Sequence, residues 1–498
     1  MKHNPCPPPA SQELELKLSL PLGNPSNLRQ QLARVPVLAR RKASRLSLHN
    51  IYYDTPDQQL RQQRAVLRLR RVGDDDSCQW LQTFKTGSSD TSALSQRGEW
   101  ESPVASAALS RTALQATPWS DMDADGNLFA ALQPCFVTAF ERTLWLVRRR
   151  DGSVVEVALD LGQIEANGQR APICELELEL KAGPPSALFE IAQEIARTVA
   201  VLPANTSKAQ RGFLLAQEGL HRPYRAQPPR LTPKLPVQLL AQQVLRNTFA
   251  QFTNNLESLR VSDDPEVVHQ TRVGWRRFTS ALQLFKKCLP LAAPTPSEAL
   301  RALLADLGEL RNLDVAQTET LPALASAYVM GDAQRAQSWQ AMTAALTQAC
   351  NLQRDVVRRA MQQAAVGTSL LAMVHWLESM ATDGEVTSGH EVSLSRWSRQ
   401  RMQRLNQRLE DAQKLADTPK LWHRVRILAK RLRYNTENLQ DLLPRKLAAQ
   451  GAQHATAIQS SLGAARDLAY VGSLATRLNL DRGLAEFLRG VAVGAKRS

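Results

Sequence analysis

The chain has 498 residues, 43% of them apolar and 22% charged, which is too long for one ordinary core and suits a folded polypeptide of two or three domains. No stretch approaches the roughly 20 apolar residues of a membrane span, and the six cysteines (Cys6, Cys78, Cys135, Cys174, Cys288, Cys350) lack the paired spacing of a zinc ribbon or a disulfide framework. The formal net charge of +15 and the pI near 9.9 call for an anionic partner.

The opening segment, MKHNPCPPPASQ, has one lysine and no apolar stretch behind it. It does not read as a secretory signal, and a cytoplasmic location is expected. Short runs with period-two alternation follow: ELELKLSL, AVLRLRRV, CQWLQTFKT, RGEWES, VVEVALDLG and CELELELK. They predict six or more β-strands. The polar faces of these strands are almost entirely ionic. Glu13, Glu15 and Lys17 share one face and Leu14, Leu16 and Leu18 the other. Arg68 shares a face with Arg70, Arg97 with Glu99 and Glu101, Glu156 with Asp160, and Glu175 with Glu177 and Glu179.

A solvated sheet surface would account for any one of these strands, but not for the sorting. Glutamates stacked along one face repel by roughly a few tenths of a kcal/mol per neighbouring pair. A divalent cation relieves that repulsion, and carboxylates without His or Cys favour Mg²⁺ or Mn²⁺ over zinc. Arginines and lysines on adjacent strands suit the oxygens of a phosphate chain. A closed barrel with carboxylates on one wall and cations on another would hold a metal–triphosphate along its axis.

Glu13-x-Glu15-x-Lys17, Arg68-x-Arg70, Lys85, Arg97-x-Glu99-Trp-Glu101 and the late CELELELK strand, taken in order, resemble the CYTH superfamily, the triphosphate tunnel metalloenzymes. The resemblance covers about residues 11–217. It implies a closed antiparallel eight-stranded β-tunnel with helices outside, and metal-dependent attack on a triphosphate within it. By position it makes Glu13, Glu15, Glu175 and Glu177 metal ligands, with Glu99, Glu101 and Asp160 supporting them or holding a second metal. Lys17, Arg68, Arg70, Lys85, Arg142 and Lys208 would grip phosphates, and Glu15 or a second metal would orient and activate water beside Lys17. Arg148, Arg149 and Arg150 compete with Arg142 for its role, and Glu179 shares the inward face or ends the strand. The same tunnel serves an adenylate cyclase or a thiamine triphosphatase, so those substrates stay open beside inorganic triphosphate.

Residues 221–236, HRPYRAQPPRLTPKLP, hold five prolines among basic residues and place a linker at residues 218–234. Beyond it, residues 235–492 show helical spacing and predict an all-α domain. Of the 62 Lys and Arg, 34 lie from Lys234 onward, against 23 of the 47 acids, so most of the charge surplus belongs to this half. Two motifs recur there in register. His269-Gln-Thr-Arg272-Val-Gly-Trp-Arg276-Arg277 returns 154 residues later as His423-Arg-Val-Arg426-Ile-Leu-Ala-Lys430-Arg431, and Leu307-Gly308-Glu-Leu-Arg311 returns 155 later as Leu462-Gly463-Ala-Ala-Arg466. Two related helical bundles are expected.

On a helix, His269, Arg272 and Arg276 share one face, as do His423, Arg426, Lys430 and Arg433. A solvated basic face, or an arginine network closed by Asp306, Asp314 and Asp467, is the plain alternative to a shared anion. The pattern resembles the CHAD domain, a helical domain of conserved histidines that binds inorganic polyphosphate. The resemblance adds Arg311 and Arg466 to the polyphosphate-binding set and implies two pseudo-symmetric bundles. The Asp of Arg311-Asn-Leu-Asp314 is displaced in Arg466-Asp467-Leu-Ala469, so the repeats need not contribute equally. Aromatics make up only 5% of the chain, and Trp275 and Trp422 read as packing positions, which argues against nucleic acid. The expected activity is hydrolysis of inorganic triphosphate or short polyphosphate beside a polyphosphate-binding domain. A non-enzymatic polyphosphate- or RNA-binding scaffold is the alternative from another class, and the oligomeric state is left open.

Overall fold

The computed structural model describes residues 11–73, 78–87, 91–225, 227–289, 291–380 and 393–494; Cys6, counted above, lies outside them. The chain divides into two compact units. One runs to Arg222 and includes Gln362–His375; the other comprises Pro223–Met361 and the chain from Trp376 onward.

The first unit is a closed antiparallel barrel. Its strands are β1 Ser11–Ser19, β2 Ala43–Asp54, β3 Ala65–Val72, β4 Gln79–Thr86, β5 Leu94–Val104, β6 Gln133–Arg148, β7 Val154–Ala166 and β8 Gln169–Ala182, with a two-residue β9, Leu202–Pro203. They run in the order β5-β4-β3-β2-β6-β7-β8-β1, and β1 pairs back onto β5 to close the ring, while β9 adds to β1. Closure leaves no unpaired edge and gives every strand an inside and an outside. The leucines of the alternating runs face out. Leu16, Leu18, Leu176 and Leu178 are fully buried, and the helix Ser186–Ala196 lies over β8 and β1 with Leu188, Phe189, Ile191 and Ile195 buried. The ionic residues therefore face in.

Along the inward rows the chemistry changes with height. Glu175 and Glu177 give way to Ala171 and Ile173 on β8, Asp160 to Ile164 on β7, and Arg142 to Phe140 and Phe136 on β6. That apolar end forms a core with Tyr52 and with Phe213 of the helix Lys208–Ala216, and the Tyr52 and Phe136 rings stack at 4.5 Å. Gly212 permits this seating, because a Cβ there would lie 2.1 Å from the Phe136 ring. The helix begins with a capping box in which Ser207 accepts from the Gln210 amide and Gln210 from that of Ser207, so its first residue, Lys208, has a fixed start.

The second unit is helical, as expected, and shows the repeat. Val237–Ser258, Pro265–Phe285, Glu298–Val315 and Ala333–Met361 form one set, and Leu394–Lys414, Pro419–Asn438, Arg445–Arg477 and Arg482–Gly494 the other. The two motif helices start alike. Pro265 and Pro419 occupy the first turn, and the side chains of Asp264 and Thr418 accept from Glu266 N and Leu421 N. His269 and His423 thus stand at the same position in equivalent helices. Trp275 packs between Phe252 and Phe278 at 5.0 and 5.7 Å. Trp422, read as a packing position, is instead exposed, because its side of the second helix is turned to solvent.

Candidate functional site

Antiparallel register places opposite charges directly across neighbouring strands. Glu13 faces Arg97, Lys17 faces Glu177, Lys85 faces Glu99 and Arg142 faces Asp160. The side chains meet: Lys85 Nζ lies 3.0 Å from Glu13 and 2.9 Å from Glu99, Arg97 bonds Glu13 at 2.9 Å and Glu15 at 2.8 Å, and Lys17 bridges Glu15 and Glu177 at 2.7 and 2.6 Å. Together they enclose a cavity of about 460 Å³ inside the barrel.

Of the residues singled out in the sequence, Glu13, Lys17, Arg68, Arg70, Lys85, Glu99, Glu101, Arg142, Glu177 and Lys208 line this cavity. Glu15, Asp160 and Glu175 stand in the wall behind it, each almost fully buried. Both Glu15 oxygens are taken, one by Lys17 and the other by Arg97. Of the competing arginines, Arg149 pairs with Glu190, and Arg148 and Arg150 are exposed, so Arg142 alone reaches the cavity. Sequence reasoning left Arg97, Glu156, Lys181, Tyr52 and Thr83 without a role, yet all five line the cavity, as does Glu179. Strand parity already carried the signal for Arg97 and Lys181, which lie two residues from Glu99 and Glu179.

The densest knot is at Lys208. Its ammonium lies 2.6 Å from Asp160, 2.5 Å from Glu175 and 2.9 Å from Glu177, and Arg142 bonds Asp160 and Glu177 from the other side. Among the described residues these three carboxylates form a group whose oxygens lie within 4.8 Å of one another, as ligands of one ion would. Three hard oxygen donors with no nitrogen or sulfur fit Mg²⁺ or Mn²⁺. Glu13, Glu99 and Glu101, also expected to bind metal, are instead grouped with Lys85, Arg97 and Thr83.

Charges this close set one another's protonation. Burial alone would raise the Glu177 carboxyl, but Lys17, Lys208 and Arg142 hold it well below the usual range. Glu15, the less compensated partner of Lys17, is pushed up by burial and then by Glu177. Burial, Arg97 and Arg68 push the Lys85 ammonium down, although Glu13 and Glu99 oppose them. Lys208 is raised against its burial by Asp160, Glu175 and Glu177.

In the helical unit the two repeats bring their basic faces together. Arg272 feels Arg276, Arg466, Arg311 and Arg426, and Lys430 feels Arg276, Arg426, Arg466 and Arg272. Burial and these neighbours lower Lys430 to about 6. Gly308 makes room for this arrangement, since a Cβ there would approach the Arg272 guanidinium to 2.9 Å. His269 stands at the margin, lowered by burial and by Arg311. His423 is exposed, and Arg433 pairs with Glu437 and covers the Tyr434 ring. Asp314 pairs with Arg354 at 3.3 Å and is also influenced by Arg311, while Asp467 is influenced by Arg466, Arg426 and Arg311.

Comparison with known proteins agrees with both halves. Residues 11–213 match the model of the CYTH domain and residues 243–476 that of the CHAD domain. An inorganic triphosphatase from Haemophilus influenzae is 34% identical over 209 residues, 42% of this chain, so the chain spans about half (56%) of that relative's length. Among solved structures, the CHAD domain from the plant Ricinus communis is similar at 26% identity over 56% of this chain and 92% of that one, with a TM-score of 0.48. A Hippeastrum protein described as having a dominant triphosphatase activity is similar at 18% identity over 42% of this chain and 96% of that one, with a TM-score of 0.31. Among the described residues, no helix is long and apolar enough to cross a membrane.

Proposed function

We propose that this chain, a CYTH domain followed by a CHAD domain, hydrolyses inorganic triphosphate in its barrel and binds polyphosphate on its helical unit. The observation that carries the first part is the lining of the cavity, where cations from β1, β3, β4, β5 and β6 converge with carboxylates from β1, β5, β7 and β8.

Every lysine and arginine there is already held by a carboxylate or a neutral oxygen. An entering triphosphate offers the same N–H groups a denser negative charge. Arg68, Arg70, Lys85 and Lys17 turn to its oxygens, and the carboxylates they leave are freed. Lys208 and Arg142 do the same at Asp160, Glu175 and Glu177, the group suited to the ion. Mg²⁺ or Mn²⁺ held there would neutralise phosphate charge and lower the pKa of a bound water. Fixed cations aimed at the bridging and terminal oxygens stabilise the charge that spreads during phosphoryl transfer. Glu15 holds Lys17 and Arg97 in place and, with its raised pKa, is the carboxylate suited to take a proton from water once Lys17 has moved.

The lining also favours an inorganic substrate over ATP or thiamine triphosphate. An organic ring needs an apolar face to lie on. Here the Tyr52 ring is stacked on Phe136, and Phe140 is covered by Arg142 and Lys208. Phosphate release from tripolyphosphate, ATP and thiamine triphosphate, with and without Mg²⁺ or Mn²⁺, tests the reading. Tripolyphosphate should be the preferred substrate and metal should be required; a preference for ATP, or release without metal, sinks it.

The second part rests on the convergence of Arg272, Arg276, Arg311, Arg426, Lys430 and Arg466 from both repeats. A polymer of phosphates matches such a cluster by charge, and its condensed counterions are released on binding.

A further inference from the structure

The helix Pro419–Asn438 carries basic residues on two sides. At about 100° per residue, Arg426, Lys430 and Arg433 share one side, and Arg424 and Arg431 lie roughly opposite. Arg431 opens into a groove of about 280 Å³ formed with the helix Leu394–Lys414 and the end of Pro265–Phe285. Its cations are Lys286, Lys287, Arg401, Arg404, Arg408 and Arg431. Arg401, Arg404 and Arg408 recur at helical spacing and so line one side of their helix. Among the described residues no carboxylate lines this groove, and none of the six cations makes an ion pair. Arg408 and Arg431 also border an adjoining groove of about 490 Å³ that adds Arg424 and one carboxylate, Asp411. On the floor, Asn435 is 2% exposed and its carboxamide oxygen has no hydrogen-bond partner. Half a turn of that amide would offer an N–H donor to an anion.

We propose that this groove is a second binding site for polyphosphate, on the far side of the helix from the Arg272–Arg426 cluster. The proposal rests on the reading of the helical unit as a polyphosphate binder. Grooves for single-stranded nucleic acid set aromatic side chains beside their cations so that bases can stack. Among the described residues no aromatic side chain lines either groove, and their apolar lining is leucine, isoleucine and one alanine; the nearby Trp397 ring is covered by Arg401 and stacked on Phe285. The occupant is therefore a polyanion without bases. A long chain that engages both faces gains affinity through the high effective concentration of its second segment.

The test titrates long-chain polyphosphate into the full-length protein over a range of salt concentrations. Wild type is compared with Arg401→Gln/Arg404→Gln/Arg408→Gln and with Arg272→Gln/Arg276→Gln/Arg426→Gln, with thermal unfolding as a check of folding. The groove variant should lose about tenfold or more in affinity, and its plot of log affinity against log salt should be shallower by about 2, roughly 0.7 for each cation removed. Should the triple variant fail to fold, the exposed single change Arg404→Gln should still flatten the slope by about 0.7. Wild-type affinity and slope in the groove variant, with weakened binding in the cluster variant, overturns the groove and leaves the cluster standing. No loss in either variant overturns both. RNA of equal charge that binds as tightly as polyphosphate, and loses as much in the groove variant, assigns the groove to nucleic acid and defeats the proposal.

Discussion

Lys208 Nζ lies 2.6 Å from Asp160 Oδ2, so a lysine at the start of a helix is the counter-ion of a carboxylate that is fully buried in strand β7. Glu175 and Glu177 share the same ammonium. Three buried carboxylates this close are stable only with cations beside them. Lys208 touches all three, while Arg142 bonds Asp160 and Glu177 and Arg211 bonds Glu175; a divalent ion bound to the same oxygens would compete with Lys208.

Replacing Lys208 should therefore make stability depend on metal. Lys208→Met removes the one cation that touches all three buried carboxylates, a loss of about 3–5 kcal/mol by the usual cost of breaking a buried pair. Its melting temperature should fall well below wild type without divalent ions and recover when Mn²⁺ is added. Equal melting of variant and wild type without metal would show that Lys208 is not the counter-ion.

Asp160→Asn keeps the shape and removes one oxygen charge from the group suited to the ion. Metal-dependent hydrolysis of tripolyphosphate should drop by about 100-fold or more, with half-saturation moved to higher Mg²⁺ or Mn²⁺. Full activity at unchanged metal dependence would place the ion elsewhere.

Arg68→Ala and Lys85→Ala should raise KM for triphosphate if they hold ground and transition states alike, and lower kcat if they act on the transition state. Lys85 adds a pH signature. Burial, Arg97 and Arg68 lower its pKa, so it loses its proton below the range of an ordinary lysine. KM should therefore begin to rise at a lower alkaline pH in wild type than a normal lysine would cause, and Lys85→Arg should postpone that rise. Identical pH profiles would remove Lys85 from the grip.

Gly212→Ala probes the seat of the helix that carries Lys208. The added methyl would lie 2.1 Å from the Phe136 ring, in a core that includes Tyr52 and Phe213. Overpacking of this kind costs about 1–3 kcal/mol, and displacement of Lys208 should lower kcat/KM as well. A variant as stable and active as wild type would mean that the helix can shift without cost.

In the helical unit, Lys430 links stability to pH. Its pKa is about 6 in the folded chain, through burial, Arg276, Arg426, Arg466 and Arg272, against an ordinary 10.5. Between those values the unfolded chain binds the extra proton, so the unit should become more stable as pH rises from about 6 toward 10. Asp314, raised by burial to about 6, acts in the opposite sense but only below that pH. Urea unfolding across this range should show the rise in wild type and a flatter profile in Lys430→Met. Polyphosphate should bind with proton uptake near neutral pH, because a bound polyanion favours the charged lysine.

Much of this was legible in the sequence because it is local. Period-two alternation in ELELKLSL and CELELELK separates the leucines that lie under helices from the glutamates inside the barrel, and the strand twist needs no further instruction. The linker prolines and the 154-residue repeat mark the helical half in the same way. The tertiary structure decided which charges meet. Closure of β1 onto β5 sets Glu13 against Arg97, and barrel register sets Arg142 against Asp160. The sequence placed Glu13, Glu15, Glu99, Glu101, Asp160, Glu175 and Glu177 together as metal-binding or supporting acids; among the described residues the fold groups Asp160, Glu175 and Glu177, and it sets Glu13, Glu99 and Glu101 beside Lys85, Arg97 and Thr83. It also exposes His423, pairs Arg433 with Glu437, and gathers Lys286, Lys287 and Arg401 into another groove. The reason is geometric. Side-chain parity and helical period depend on neighbours along the chain, whereas the energy of a charge depends on what lies within a few ångströms in space, and only the closed barrel and packed helices fix that.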